Sequence, residues 1–290
     1  MARHRERFAH VLYFIEANLD SDLDVDQLCQ FANLSKYHFH RQCSAFFGMS
    51  VIALVRLLRL KRAAYQLAYR DKKVVDIALE SGYESHEAFS RALKRYFGKS
   101  PAKFRQKPDW ALWHKHYEPI MILRSQLMAT TTSFDVKVVE FPETRLAVME
   151  HRGPAHLLGS TINQFIQWRK GQGLSPDKSR TFNLVYDDPA TTASDQFRFD
   201  VCCTVNQPVS ASITHEYGVI NKVIPSGKCA VIQYLGSDDS IGIAVQYLYL
   251  QWLDSSGFTA REFPMFFERV KFFPEVPERE MITDIYLPIE

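Results

Sequence analysis

The strongest constraint in this chain is a pattern written twice within its first hundred residues, about 50 residues apart. A helical stretch, Val25–Ala32, follows Asp24 and ends at Asn33; Ser35 then opens a second helix, Lys36–Phe47, which stops at Gly48. The same order returns as Val74–Ser81, Gly82, Ser85, His86–Phe97 and Gly98. Phe39 matches Phe89, Arg41 matches Arg91, and Ser50-Val51 matches Ser100-Pro101, an N-cap followed by proline at the first helical position. Asn33 and Gly82 are residue types that tolerate the left-handed backbone of a sharp turn. The repeat therefore predicts two copies of helix, tight turn, helix.

A helix of about eight residues is marginal by itself and must be held by packing. Arg5–Asn18, apolar at Phe8, Val11, Leu12 and Ile15, carries a helical stripe ahead of the first copy, and Val51–Tyr69 lies between the two copies. The latter reads as a single helix of about 19 residues, about 29 Å long at 1.5 Å rise. A rigid spacer of that length would hold two second helices roughly one DNA turn, about 34 Å, apart. Phe39, Phe46, Phe89 and Phe97 recur at helical spacing and read as core rather than as base-stacking platforms.

Charge supports a polyanionic partner. Residues 1–107 hold 19 Lys/Arg against 11 Asp/Glu, whereas residues 108–290 hold 16 against 22, so a formal charge of +2 conceals a basic and an acidic part. No run approaches the roughly 20 apolar residues of a membrane span, and the N-terminus lacks a secretory pattern, so the expected location is cytoplasmic, with no membrane partner. The five cysteines show no paired spacing and read as reduced, buried thiols; Cys202 and Cys203 would face opposite sides of a strand. No metal, cofactor or catalytic residue is expected.

From Phe134 the grammar changes. Strands are expected at Val136–Val139 and Leu146–Met149, a helix at Leu157–Trp168, and strands at Thr181–Tyr186 and Phe197–Val205. A second pass gives strands Val219–Ile224 and Cys229–Gln233, a helix Ile241–Leu253, and strands Met265–Val270 and Ile282–Ile289. The passes align at an offset of about 84 residues: Gly153 with Gly236, Trp168 with Trp252, Asp200 with Asp284. The expected fold is multidomain: an all-α double helix-turn-helix DNA-binding domain over 1–108, a linker over 109–132 (where Leu112, Ile120, Ile122 and Leu123 also leave a terminal helix open), and over 133–290 an α+β domain of two duplicated β-α-β-β units. Its helices would cover one face of the sheet and leave a concave cleft on the other.

The first part resembles the DNA-binding domain of the AraC/XylS family. Val25-Asp-Gln-Leu-Cys, Ser35-Lys-Tyr-His-Phe-His-Arg, Asp76-Ile-Ala-Leu-Glu-Ser-Gly-Tyr-Glu-Ser and the closing Phe97-Gly-Lys-Ser-Pro-Ala-Lys-Phe-Arg105 carry the resemblance. It implies base contacts from the exposed face of each second helix: Tyr37, His40 and Arg41, then His86, Glu87 and Arg91. An arginine fork suits guanine O6/N7, and Glu87 either accepts from cytosine N4 or is a solvated first-turn carboxylate. His40 and His86 could instead meet phosphate. The partner implied is double-stranded DNA, with RNA polymerase as a further one.

The second part resembles the effector-binding domain related to gyrase-inhibitory proteins, also found in the Rob branch of AraC-like activators. Glu143-Thr-Arg-Leu-Ala-Val-Met-Glu-His-Arg-Gly-Pro154, Val185-Tyr-Asp-Asp-Pro189, Phe199-Asp-Val-Cys-Cys-Thr-Val205 and Thr283-Asp-Ile-Tyr-Leu-Pro-Ile289 carry it. It implies a small-molecule effector, of cationic lipophilic type, held by a carboxylate among aromatic rings. The matching carboxylate is Glu268, with Asn183 at the equivalent place in the first pass, and Trp168, Trp252, Tyr186 and Tyr234 as candidate walls. Core packing of the tryptophans, and neutralisation of Glu268 by Arg269 or a neighbouring strand residue, stand beside that reading. The alternatives are a protein-interaction module and a small-molecule hydrolase.

Overall fold

The computed structural model describes residues 2–21, 23–128 and 133–290. The chain divides into two compact units. Of the described residues, the first comprises those up to 128, together with two short later segments, 237–240 and 273–279; the second is the remainder, from 133 onward.

The first unit is helical: α1 (Ala2–Ala17), α2 (Val25–Phe31), α3 (Lys36–Phe47), α4 (Val51–Tyr69), α5 (Val74–Glu80), α6 (His86–Phe97), α7 (Pro101–Gln106) and α8 (Ala111–Met128). The stripe Phe8, Val11, Leu12 and Ile15 is fully buried, and the Phe8 ring meets those of Phe39, Phe46 and Phe47. Asn33 takes φ 52°, the one positive value among the described non-glycine residues, and Gly82 takes 77° at the matching turn. A Cβ at Gly82 would also lie 2.8 Å from the Arg59 guanidinium. The Asp24 carboxylate accepts from the Asp26 amide, and the Ser50 and Ser85 hydroxyls accept from the Ala53 and Ala88 amides. Ser35 and Ser100 precede α3 and α7 without a side-chain cap.

The stretch expected to be a linker is instead largely the helix α8. Trp110, Trp113, Tyr117 and Ile120 recur at intervals of three and four, and all are buried. Leu123 is buried as well, whereas Leu112 and Ile122 fall on the exposed side. Phe97 and Trp113 stack 4.8 Å apart, joining α8 to α6.

Five charged side chains meet inside this unit. Arg124 of α8 donates to Glu16 of α1, to Glu278 and Asp239 of the two short later segments, and to the Ser237 hydroxyl at 2.9 Å. Lys61 of α4 lies 2.9 Å from Glu278 and 3.4 Å from Asp239, with its Nζ 4.2 Å above the Tyr117 ring. Arg124 and Glu16 are each only 4% exposed. Arg124 and Lys61 hold Glu278 below the usual carboxylate range against the cost of burial. Burial pushes Glu16 above that range, since three carboxylates share two cations.

The second unit holds β1 (Val136–Phe141), β2 (Thr144–Arg152), α9 (Leu158–Gly171), β3 (Thr181–Val185), β4 (Arg198–Thr204), α10 (Ala211–Tyr217), β5 (Val219–Ile224), β6 (Gly227–Leu235), α11 (Ile241–Tyr247), α12 (Leu253–Ser256), β7 (Met265–Lys271) and β8 (Ile282–Pro288). A π-helical turn at 248–252 joins α11 to α12, so the single helix expected there is irregular. The short α10, which buries no residue, has no counterpart in the expectations. The strands form one antiparallel sheet ordered β1-β6-β8-β7-β3-β4-β2-β5. That order is unchanged when β1–β4 are exchanged with β5–β8 and read backwards.

Alternation sends the two faces to different fates. On one face Trp168 and Phe165 of α9 pack on Ala147, Met149, Val201 and Cys203. The other carries Val148, Phe182, Leu184, Cys202, Phe266 and Tyr286. Cys202 and Cys203 do occupy opposite faces, and all five cysteines are buried free thiols. The sheet is rolled towards the second face: β1 and β3 lie four places apart, yet the rings of Phe141 and Phe182 are 6.2 Å apart. No single helix among the described residues is long and apolar enough to cross a membrane.

Candidate nucleic-acid and ligand interfaces

Helices α3 and α6 each turn one edge inward through aromatic and small residues: Phe39, Cys43 and Phe47 in α3, and Phe89, Leu93 and Phe97 in α6. The opposite edges are exposed at Tyr37 and Arg41, and at His86, Glu87 and Arg91. Four residues apart on one helix, Arg41 donates to the Tyr37 hydroxyl at 3.3 Å. His40 is half-buried, its ring edge-on to Phe39. A backbone amide in the first turn of α6, with the Ser85 hydroxyl, holds the Glu87 carboxyl below its usual range. Five of the six candidate DNA residues therefore share the exposed edges of the two second helices, and Lys94 and Arg95 extend that edge of α6.

On the inner face of the sheet, β7 places Glu268 directly against Phe182 of β3 and Asp284 of β8. Glu268 is 12% exposed and is forked by Arg180, whose Nε lies 2.6 Å from Oε1 and whose Nη2 donates to Oε2. The Arg180 guanidinium carbon sits 5.0 Å from the Phe182 ring centroid. The fork to Glu268 holds Arg180 protonated above the usual arginine range. Burial, with the charge of Glu268 adding to it, raises the Asp284 carboxyl, which accepts from Gln233 at 3.1 Å. Phe266 and Tyr286 stack 4.9 Å apart with planes 9° from parallel, and Phe141 abuts both.

A second charged group lies on the same face. Asp200 of β4, with no exposed side-chain surface, accepts from Lys222 at 2.6 Å, from Arg152 at 3.0 Å and from the Tyr186 hydroxyl at 2.9 Å. Lys222 also reaches Glu150 at 2.6 Å. Burial opposes the charge of Lys222, but Asp200, Glu150 and Tyr186 outweigh it and raise its affinity for the proton. Here two cations meet two carboxylates.

Residues 134–290 match the family described as GyrI-like small molecule binding domain, and residues 28–107 match a helix-turn-helix domain family. The chain belongs to the GyrI-like family. It is 37% identical over 161 residues to the Probable transcriptional regulator YgiV of Escherichia coli K12, covering 55% of this chain and 99% of that one. It is 33% identical over 101 residues to the Right origin-binding protein of the same organism, covering 35% of each. A crystal structure of the EcmrR C-terminal domain aligns with a TM-score of 0.44 at 19% identity, over 54% of this chain and 98% of that one. The GyrI-like chain is thus a DNA-binding transcription regulator whose AraC-type helix-turn-helix domain precedes a small-molecule binding domain.

Within the GyrI-like unit the expected ligand residues are not gathered together. Glu268 and Tyr186 share the inner face, but Tyr186 belongs to the Asp200 group, and Arg152, Arg198 and Lys222 all approach its ring within 5.6 Å. Trp168 is buried beneath α9 on the opposite face. Tyr234 is buried and follows Gln233, which faces Asp284, so it points to the other side. Trp252 stacks on Phe258, 6.1 Å away. The rings nearest Glu268 are instead Phe182, Phe266 and Tyr286. The expected match of Asn183 with Glu268 does not hold: Asn183 stands opposite Phe267. Asn183 accepts from Arg269 at 2.9 Å on the helix-covered side, whereas Glu268 faces the inner one, so the two do not occupy matching places. Arg269 is kept from Glu268 because adjacent strand residues face opposite ways.

Proposed function

We propose that this regulator reads double-stranded DNA with α3 and α6 and is controlled by a lipophilic cation bound at Glu268. Tyr37, Arg41, His86, Glu87 and Arg91 would meet base edges, and His40, half-buried, would meet a phosphate. The 19-residue α4 would set the two reading helices about one turn apart, about 34 Å along the duplex. RNA polymerase is the further partner through which a DNA-bound regulator would act. We also infer that the two β-α-β-β passes are duplicates, because the strand order is symmetric under their exchange.

The observation that carries the ligand reading is the charge at Glu268. Two carboxylates, Glu268 and Asp284, stand directly across one strand pair, beside stacked aromatic rings and a single guanidinium. The matching group around Asp200 is balanced by its own lysine and arginine, so a cation finds its deficit at β7 and β8. Calorimetry on the full chain tests this, using a biaryl amidine and its isosteric neutral carboxamide. Glu268→Gln should weaken the amidine by roughly tenfold or more, in line with about 1.5–3 kcal/mol for a hydrogen bond to a charged group, and leave the amide nearly unchanged. Equal losses for both compounds would refute it.

A further inference from the structure

The place a ligand cation would take already holds one. Arg180 immediately precedes β3, and its amide donates to the Thr204 hydroxyl at 3.0 Å, which anchors the backbone while the side chain reaches across to β7. Its guanidinium forks Glu268 with two donors and lies over the Phe182 ring. The partners differ in exposure: the Arg180 side chain is 48% exposed and that of Glu268 12%. The cation comes from the solvent side on a flexible stem, whereas the carboxylate is fixed in a strand interior. An arginine so exposed is readily re-solvated when it leaves, whereas the carboxylate, at 12% exposure, is not, so a second cation must take the arginine's place. Its departure would leave Glu268 facing Asp284 with no counter-ion from Arg180, and like charges directly opposite on neighbouring strands are unfavourable.

We propose that Arg180 is a resident competitor, an internal stand-in for the ligand, and that the site selects planar delocalised cations able to fork Glu268 and lie on Phe182 as this guanidinium does. The idea rests on the reading of Glu268 as the ligand's carboxylate, and goes beyond it by naming what the ligand displaces and the shape it must have. Amidinium and guanidinium groups on an aromatic body meet both demands. A tetrahedral onium of similar size carries the charge but can neither fork the carboxylate nor lie flat on the ring.

The test is calorimetry on the full chain with 4-phenylbenzamidine, its neutral twin biphenyl-4-carboxamide, and tetraphenylphosphonium. Arg180→Ala removes the competitor and should tighten the amidine about tenfold, while changing the carboxamide less than twofold. Arg180→Lys keeps a charge but loses the planar fork, and should fall between wild type and Arg180→Ala. Adding Glu268→Gln to Arg180→Ala should cancel the gain. Tetraphenylphosphonium should gain less than the amidine from Arg180→Ala. If Arg180→Ala leaves the amidine unchanged or weaker while Glu268→Gln alone still weakens it, the competitor role is overturned and the carboxylate reading survives. If the amidine binds neither wild type nor Arg180→Ala, or binds no better than the carboxamide in both, both fall. An equal gain for amidine and phosphonium overturns the planar selectivity.

Discussion

Replacing Arg124 by alanine is the most demanding test of how the helical unit is held together. Arg124 is 4% exposed and touches Glu16, Glu278, Asp239 and the Ser237 hydroxyl. Without it, three carboxylates are left to Lys61, which reaches Glu278 and Asp239. Removing one partner of a buried ion pair costs about 3–5 kcal/mol, because the other charge stays desolvated. The loss should be read by equilibrium urea denaturation of the full chain through tryptophan fluorescence, since Trp110 and Trp113 are buried in the same unit. Its pH dependence follows from the two carboxyls that move in opposite directions. Burial raises Glu16, so the native state holds that proton more tightly than the unfolded chain, and stability falls as pH rises from the ordinary carboxylate range towards the raised value. Arg124 and Lys61 lower Glu278, so its contribution is present above the ordinary range and lost as pH falls through the lowered value. Without Arg124, Glu16 should take up its proton at still higher pH, and the defect should shrink as pH drops from 8 to 5. Arg124→Met combined with Glu16→Gln should recover much of the loss, because it removes the stranded charge along with its partner. A loss below about 1 kcal/mol, the level of a surface pair, or a defect equal at pH 8 and pH 5, would refute the reasoning.

The remaining predictions concern the other sites. Arg41→Ala and Arg91→Ala should each cost about 1–3 kcal/mol of specific DNA binding and relax one position in a selection from randomised duplexes, whereas Lys94→Ala should weaken all sequences alike; unchanged preference in both arginine variants would reject their assignment. Insertion of about 5 base pairs between the two half-sites should abolish tight binding, because α4 is one uninterrupted helix; undiminished affinity on the spaced duplex would reject a rigid bipartite reader. Lys222→Met should lower the stability of the second unit by roughly 2–4 kcal/mol, since Asp200 has no exposed side-chain surface and keeps only Arg152 as a charged partner; a change under about 1 kcal/mol in thermal or urea unfolding would show that solvent reaches Asp200.

The sequence by itself determined what depends on neighbours along the chain. Helices α3, α4 and α6, the turns at Asn33 and Gly82, strand β5, and the opposed faces of Cys202 and Cys203 all follow from spacings of two to four residues and from the backbone freedom of single residue types. The exposed edges of α3 and α6 were legible for the same reason, since Phe39 and Phe89 fix which way each helix faces. α8 was read as a linker, with a terminal helix left open, because Pro119 and the apolar but exposed Leu112 and Ile122 blur a stripe whose buried residues recur at helical spacing. Only the tertiary structure decided which charges meet. Arg180 and Glu268 are 88 residues apart, and Arg124 and Glu278 are 154 apart. Such encounters depend on strand order and register, and a one-place slip turns a side chain to the other face. Asn183 accordingly lies on the helix-covered face and Glu268 on the other. Strand order likewise sets Phe182, and not a tryptophan, beneath the Arg180 guanidinium.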